Sequence, residues 1–267
     1  MSILKLPHAV PRVLLFDWHA TLVDTHDAMY CAVNDVLPKL EELGLMERII
    51  PVEDSKTIDD AKLVLYIRQY LELHPKVVEA RKISRTDIFE VLFGPDEEAK
   101  HIAHREFHHA YRNHYGKVTP FEEAFPEVLA ELKAMDLRLG VLTNRDREFM
   151  EHEIDAVGEK GWRHFFDTMV CGDDVAWRKP APDSILKALE NLGVEPGPGT
   201  WYVGDSTTDT IAAKRAEVTN VFYNGAGWDE AWLDKIFPDT IRHPYKPDGV
   251  VNDSLELLEM VRKFFVS

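Results

Sequence analysis

The side chains that could perform chemistry fall in four short segments, and each segment follows an apolar run typical of a buried strand. In chain order they are Asp17, Thr143 with Asn144, Lys179, and Asp205 with Asp209. Because parallel strands bring their carboxyl ends to one edge of a sheet, we expect these groups to meet in one crevice. Carboxylates beside an ammonium and a hydroxyl could attack and bind a phosphoryl group.

Each segment also has an ordinary structural explanation. A lone aspartate after an apolar run is usually a strand end, and the turn at Lys179-Pro180-Ala181-Pro182 could be a simple loop. Asp205 and Asp209 could merely cap the helix that follows them. Each of the four segments nevertheless follows a predicted strand, which favours one shared site over four unrelated turns.

The charges predict a divalent cation as cofactor. An anionic carboxylate such as Asp17 will not approach an anionic phosphate unless positive charge lies between them. Mg²⁺ is the natural choice, since it prefers hard oxygen ligands and retains several waters. We therefore expect Mg²⁺ and a small phosphorylated molecule as the partners of this site.

Alternating strands and helices must position these segments. Short apolar runs predict strands at 13–16, 137–142, 168–171, 201–203 and 220–223, and amphipathic spacing predicts helices at 121–135, 146–157, 183–192, 207–216, 228–237 and 254–265. Asp146 is expected to cap its helix, and Gly193 to end another. This alternation predicts an α/β fold with a doubly wound parallel sheet.

A long helical insertion interrupts that pattern. Between about residues 24 and 119 the apolar residues recur at helical intervals, and strand character is almost missing. We expect a core domain made of residues 1–23 and 120–267, and a helical cap domain of residues 24–119. His101, His104 and His108 share a face of one cap helix, where metal binding competes with the simpler interpretation of a solvated surface.

Composition excludes several classes of function. The 31 basic and 47 acidic residues give a formal net charge of -16, which argues against nucleic acid or an anionic membrane as a partner. Cys31 and Cys171 are too few for a disulfide framework and fit a reducing compartment. No apolar run is long enough to span a bilayer, and we expect a cytoplasmic protein. Oligomeric state and substrate identity are not encoded in any motif.

The segment Asp17-Trp18-His19-Ala20-Thr21 resembles the first motif of the haloacid dehalogenase superfamily, whose phosphatase members read hhhhDxDGT. The chain keeps the first aspartate but has His19 in place of the second and Ala20 in place of glycine. The other segments follow in the superfamily order across nearly all of the predicted core. The resemblance implies a Rossmann-like core with a helical cap, and a Mg²⁺-dependent phosphatase.

The resemblance also implies how the phosphoryl group is handled. Asp17 would attack phosphorus and form an aspartyl phosphate, which divides one difficult displacement into two easier ones. Lys179 would neutralise the phosphate oxygens and hold Asp17. Thr143 and the amide of Asn144 would bind the transferring group.

The metal set and the proton donor follow from the same resemblance. Asp17 and Asp205 would bind Mg²⁺ with the backbone carbonyl of His19, and Asp209 would act from further away or through water. His19 could replace the missing acid/base, since its ordinary pKa of about 6.5 suits proton transfer near neutrality. A nearby Mg²⁺ would make the imidazole a good base and a poorer acid, so slower hydrolysis is expected.

Two other interpretations explain the altered motif. Asp17-Trp18 and Val23-Asp24 are similar to the start of phosphonoacetaldehyde hydrolases, which use a cap lysine to form a Schiff base with the substrate aldehyde. Lys56 or Lys62 could be that lysine, although this related family has arginine where the chain has Lys179. The third interpretation is a phosphate-binding or interaction protein that has kept the fold but lost turnover.

Overall fold

A six-stranded parallel sheet forms the core of the larger of two compact units. The computed structural model describes residues 7–80, 85–241 and 244–265. Its strands are β1 (Val13–Asp17), β2 (Val23–Asp24), β3 (Thr119–Pro120), β4 (Arg138–Leu142), β5 (Thr168–Val170), β6 (Thr200–Gly204), β7 (Thr219–Tyr223) and β8 (Gly249–Val251). The sheet order is β5-β4-β1-β6-β7-β8, and β2 pairs with β3 in a separate antiparallel ribbon.

Helices follow most of the strands and dominate the second unit. In chain order they are α1 (His26–Val36), α2 (Ile58–Tyr70), α3 (Pro75–Ala80), α4 (Arg85–Phe93), α5 (Glu97–Tyr111), α6 (Phe125–Ala134), α7 (Arg147–Ala156), α8 (Asp183–Leu192), α9 (Thr207–Arg215), α10 (Glu230–Ile236) and α11 (Ser254–Arg262). The unit with the sheet holds the described residues up to 24 and from 119 onward, and the unit with α1–α5 spans 25–118. In the part of the chain that the structure describes, no helix is both long and apolar enough to cross a membrane.

Strand β1 lies in the middle of the sheet and is buried on both faces. Its residues from Val13 to Phe16 are all fully buried, as expected for a central parallel strand covered by helices on each side. Val13 and Leu15 share one face because side chains alternate along a strand. There they belong to an apolar cluster with Ile185 and Leu189 of α8. This packing fixes the position of Asp17 at the carboxyl end of β1.

The predicted α/β class with a doubly wound parallel sheet is confirmed. The predicted strands appear with small shifts at their ends, and α8 ends as expected at Gly193, whose φ of 64° is left-handed. Ala20, in the place of the motif glycine, also has a left-handed backbone, with φ of 61°. That conformation is rare for a residue with a Cβ atom.

Several predicted boundaries are wrong. Strand β8 and the β2–β3 ribbon were not predicted, because runs of two or three residues carry no readable periodicity. Helix α6 begins at Phe125 rather than 121, because the chain first pairs Val23 with Pro120 in the ribbon. Helix α11 ends at Arg262 rather than 265.

The predicted cap of α7 is only partly correct. Asp146 does occupy the position before the helix, but its side chain makes no capping hydrogen bond. Its carboxylate instead accepts a hydrogen bond from Arg178 Nη2 at 2.5 Å. The contact ties this loop to the segment that carries Lys179.

Candidate active site

Lys179 lies at the centre of the groups that the sequence singled out. Its side chain is almost fully buried, and its Nζ atom lies 2.5 Å from Asp17 Oδ1 and 2.8 Å from Asp209 Oδ1. The same ammonium donates to the Tyr202 hydroxyl at 2.8 Å. Burial alone would lower the pKa of Lys179, but the charges of Asp17 and Asp209 overcome this effect and raise it. The amine is therefore held protonated.

Three carboxylates from two strand ends converge beside that ammonium. Asp17, Asp205 and Asp209 each offer an oxygen, and these oxygens all lie within 4.8 Å of one another. Burial raises the pKa of Asp17 to about 6, although the Lys179 ammonium opposes this. Burial and the charge of Asp17 raise the pKa of Asp205 well above its usual range. One ammonium cannot balance three carboxylates, so this oxygen-rich site fits a hard divalent cation.

Asp209 has both of its oxygens occupied by donors from the protein. Oδ1 accepts from Lys179 and from the Tyr202 hydroxyl, each at 2.8 Å. Oδ2 accepts from the Ser206 N–H, and Ser206 in turn caps α9 in a reciprocal capping box. The capping interpretation of this aspartate is thus also correct. An arrangement with both oxygens engaged favours an indirect influence on a cation over direct ligation.

Gly204 makes room for Asp209. A Cβ atom at Gly204 would lie 2.6 Å from Cγ of Asp209 and 2.7 Å from its Cβ, which is too close for any side chain. We expect Gly204→Ala to displace Asp209 and to lower the rate of phosphate release by about tenfold or more, because small errors in active-site geometry are costly. Gly197→Ala is the matched control, since it precedes the same strand in open space. Equal rates in both variants would contradict this expectation.

Thr143 and Asn144 follow β4 and hold different parts of the site. The Thr143 hydroxyl oxygen is buried and accepts a hydrogen bond from the Arg145 N–H at 3.1 Å, which leaves its own proton to donate. The Asn144 side chain makes two hydrogen bonds with the backbone of Lys179. Its Oδ1 accepts from the Lys179 N–H at 2.9 Å, and its Nδ2 donates to the Lys179 carbonyl at 3.0 Å. Asn144 therefore positions Lys179 through its side chain.

His19 lies in the loop directly after β1 and is half-buried. This loop turns back at once, since the Ala20 N–H donates to the Val23 carbonyl at 2.8 Å. His19 therefore lies two residues after Asp17, in the same loop that leaves the carboxylate cluster. Its role in proton transfer and its carbonyl's role in metal binding remain predictions.

Two polar residues of the site were missed by sequence reasoning. Thr21 is fully buried, and its hydroxyl donates to Asp205 Oδ1 at 3.1 Å. Tyr202, inside β6, donates to Asp209, and burial together with the Asp209 charge raises the pKa of its hydroxyl. A signal existed for each: Thr21 belongs to the first motif, and Tyr202 is a polar group inside an apolar run.

The cap residues considered from the sequence lie in the second unit. Lys56 is an exposed side chain paired with Glu90 at 2.9 Å, and Lys62 is equally exposed and paired with Asp59 at 2.8 Å. An ammonium held by a carboxylate in water is not the desolvated amine that a Schiff base needs. Within the described residues, the three aspartates are the sole cluster with metal-ligand spacing, so the cap histidines do not form one.

Known proteins resemble this chain both in sequence and in fold. The sequence model of the family described as haloacid dehalogenase-like hydrolase matches residues 69–223, more than half of the chain. The phosphoglycolate phosphatase of Aquifex aeolicus is 30% identical over 238 residues, which cover 87% of this chain and 93% of that protein. The Escherichia coli K12 phosphoglycolate phosphatase is 29% identical over 239 residues, covering 86% and 88%. A crystal structure from Lactobacillus plantarum has the same fold, with a TM-score of 0.64 at 19% identity over 94% of this chain and 100% of that one.

Proposed function

The chain belongs to the haloacid dehalogenase-like hydrolase family, and from that premise we propose that it is a Mg²⁺-dependent phosphatase of small-molecule phosphate monoesters. The observation that carries the proposal is the contact of the buried Lys179 ammonium with Asp17, inside a cluster of three carboxylates. A positioned nucleophile beside concentrated positive charge is what phosphoryl transfer requires.

The proposed reaction consists of two displacements at phosphorus. In the first, an Asp17 oxygen forms a bond to phosphorus while the bond to the ester oxygen breaks, and His19 gives a proton to the departing alkoxide. In the second, His19 takes a proton from a water molecule that attacks the aspartyl phosphate. Inorganic phosphate leaves, and the Asp17 carboxylate is restored.

The phosphoryl oxygens would be bound by donors that face the same crevice. The Lys179 ammonium favours the ionised form of Asp17, against the effect of burial, and is close enough to contact an oxygen of the group that Asp17 attacks. The Thr143 hydroxyl has its proton to donate, and the Asn144 N–H makes no hydrogen bond with any other residue that the structure describes. These donors would stabilise the charge that develops during transfer.

Asp17 and Asp205, with the backbone carbonyl of His19, would hold the Mg²⁺ ion, and Asp209 would act on it through water. When bound, the ion would offset the repulsion between the negative Asp17 carboxylate and the negative phosphate. Protons compete with Mg²⁺ for Asp17, whose pKa is raised to about 6. Mg²⁺ affinity should therefore fall as the pH is lowered through about 6.

The names of the relatives suggest which ester to test first. Two of them are phosphoglycolate phosphatases, so 2-phosphoglycolate is the leading candidate substrate. The experiment measures phosphate release from 2-phosphoglycolate, p-nitrophenyl phosphate and phosphonoacetaldehyde, each with Mg²⁺ and with excess EDTA, on the parent chain and on Lys56→Ala and Lys62→Ala.

We expect release from the two esters that needs Mg²⁺ and is unaffected by either lysine substitution. Two results together would replace this proposal with carbon–phosphorus bond hydrolysis. The first is phosphate release from phosphonoacetaldehyde alone that is abolished in one lysine variant, and the second is a substrate adduct on that lysine that borohydride traps. No release from any compound, while Mg²⁺ and phosphate still bind, would instead leave a binding protein.

His19 should matter most where the leaving group needs a proton. We expect His19→Ala to lower kcat/KM, which reports the leaving-group step, by about a hundredfold for 2-phosphoglycolate, because its alkoxide must be protonated. For p-nitrophenyl phosphate kcat/KM should fall by less than about tenfold. His164→Ala is the control, since His164 is exposed and lies in another loop of the same unit. Equal losses for the two esters would show that His19 is not the acid.

A further inference from the structure

We infer that Glu153 is a positioning residue that holds two active-site loops through one buried carboxylate, an inference that rests on the proposed function. Glu153 lies in α7 and is 0% exposed. Its Oε2 accepts a hydrogen bond from Nε1 of Trp18 at 2.8 Å, and its Oε1 lies 3.1 Å from Nη1 of Arg145. Trp18 directly follows Asp17, and Arg145 lies two residues after Thr143. The two oxygens of one side chain therefore contact the loops after β1 and after β4.

Trp18 transmits this contact to the nucleophile. Its indole is fully buried and meets Trp162 edge-on, with ring centroids 6.1 Å apart. Its backbone N–H lies near enough to the Asp17 carboxylate to oppose the rise in the pKa of that group. Its carbonyl accepts hydrogen bonds from the N–H groups of Leu22 and Val23, each at 3.0 Å. Fixing the indole thus fixes the peptide groups on both sides of the turn.

Arg145 transmits the second contact to the phosphate-binding loop. Its side chain is mostly buried against Glu153, and its backbone N–H donates to the Thr143 hydroxyl oxygen at 3.1 Å. That hydrogen bond sets the direction in which Thr143 can donate its own proton. A shift of Arg145 would therefore redirect a group that faces the transferring phosphoryl.

The chemistry of Glu153 fits positioning better than stability alone. Burying a carboxylate is costly, and an apolar residue of the same size often packs at least as stably. A carboxylate with two oxygens can instead fix two donors at a defined separation, here one from each loop. Reaction rates depend on the placement of groups to within about 1 Å, so such a link acts on catalysis without touching the substrate.

The test compares Trp18→Phe and Glu153→Gln with Trp201→Phe. Trp201 is the matched control because it is also fully buried and its Nε1 also donates a hydrogen bond, to the Ala9 carbonyl at 3.1 Å. It lies near the amino end of β6, at the end of the sheet away from the site. For each variant we would measure the melting temperature, the hydrogen exchange of the Leu22 and Val23 amides, and kcat and KM for p-nitrophenyl phosphate with Mg²⁺.

We expect the Leu22 and Val23 amides to exchange about tenfold faster in Trp18→Phe and Glu153→Gln, and kcat to fall about tenfold with KM nearly unchanged, since a buried bond to a charged group is lost. Trp201→Phe should lower the melting temperature by about as much as the other two variants do. It should leave both the exchange of the Leu22 and Val23 amides and kcat at the values of the parent chain. Unchanged exchange in Trp18→Phe and Glu153→Gln would overturn the inference, and so would faster exchange with an unchanged kcat. A parent chain that releases no phosphate would refute the proposed function and, with it, the positioning role.

Discussion

Asp17→Asn is expected to abolish phosphate release, with a loss of at least about a thousandfold in kcat, because an amide oxygen cannot replace the carboxylate as nucleophile. The fold should survive, since the amide oxygen still accepts from Lys179, and Lys179 keeps Asp209 and Tyr202 as partners. The substitution also removes a buried negative charge and so relieves the repulsion between Asp17 and Asp209, which contributes to the raised pKa of Asp17. The melting temperature should therefore stay near that of the parent.

The control for this variant is Asp136→Asn. Asp136 is exposed, and its backbone is left-handed with φ of 63°, a conformation that asparagine tolerates. It precedes β4 at the end of the sheet away from Asp17. Full activity in the Asp136 variant, with none in the Asp17 variant, is the expected result. An Asp17→Asn protein that hydrolyses its best ester as fast as the parent would refute the proposed mechanism.

Lys179→Met is expected to affect both activity and stability. Without the ammonium, the buried carboxylates of Asp17 and Asp209 and the half-buried carboxylate of Asp205 face one another, and losing one partner of a buried ion pair costs about 3–5 kcal/mol in the free energy of unfolding. Phosphate release should fall by at least about a hundredfold, since the fixed positive charge is lost. Urea denaturation and a Mg²⁺-dependent phosphate assay measure the two losses.

The pH dependence of the Lys179→Met variant has a definite sign. The pKa values of Asp17 and Asp205 are raised in the folded chain. Protonation of these two groups therefore stabilises the folded state. For Asp17 this stabilisation is lost as the pH rises through about 6. The deficit of the variant should shrink when the pH is lowered. Lys187→Met is the control and should show neither loss, because the Lys187 side chain lies at the surface of α8, where it pairs with the exposed Glu190 at 2.8 Å. A deficit that grows on acidification would contradict the electrostatic explanation.

Much of the core and the identity of its polar groups could be predicted from the sequence. Central strands such as β1 are continuous apolar runs, and the residue that closes each run is visible without a structure. The order of Asp17, Thr143, Lys179 and Asp205 then predicts one shared crevice. The structure brings Asp17, Asp205 and Asp209 together, with Lys179 in contact with Asp17.

The supporting contacts could not be predicted, because they depend on distance in space. Trp18 and Glu153 are 135 positions apart in sequence, and nothing local marks Glu153 as the partner of an indole. Tyr202 reads as part of an apolar strand until its hydroxyl is seen between Lys179 and Asp209. The short strand β8 lies outside the prediction for a different reason, since three residues are too few to show a period.

The position of β1 in the sheet has a consequence for synthesis on the ribosome. Both edges of this first strand are filled by strands made much later, β4 at Arg138–Leu142 and β6 at Thr200–Gly204. The nascent chain must carry an apolar strand with unpaired edges until those segments emerge, and such strands are prone to aggregate. A chain stalled before β6 should therefore depend on chaperones until its release.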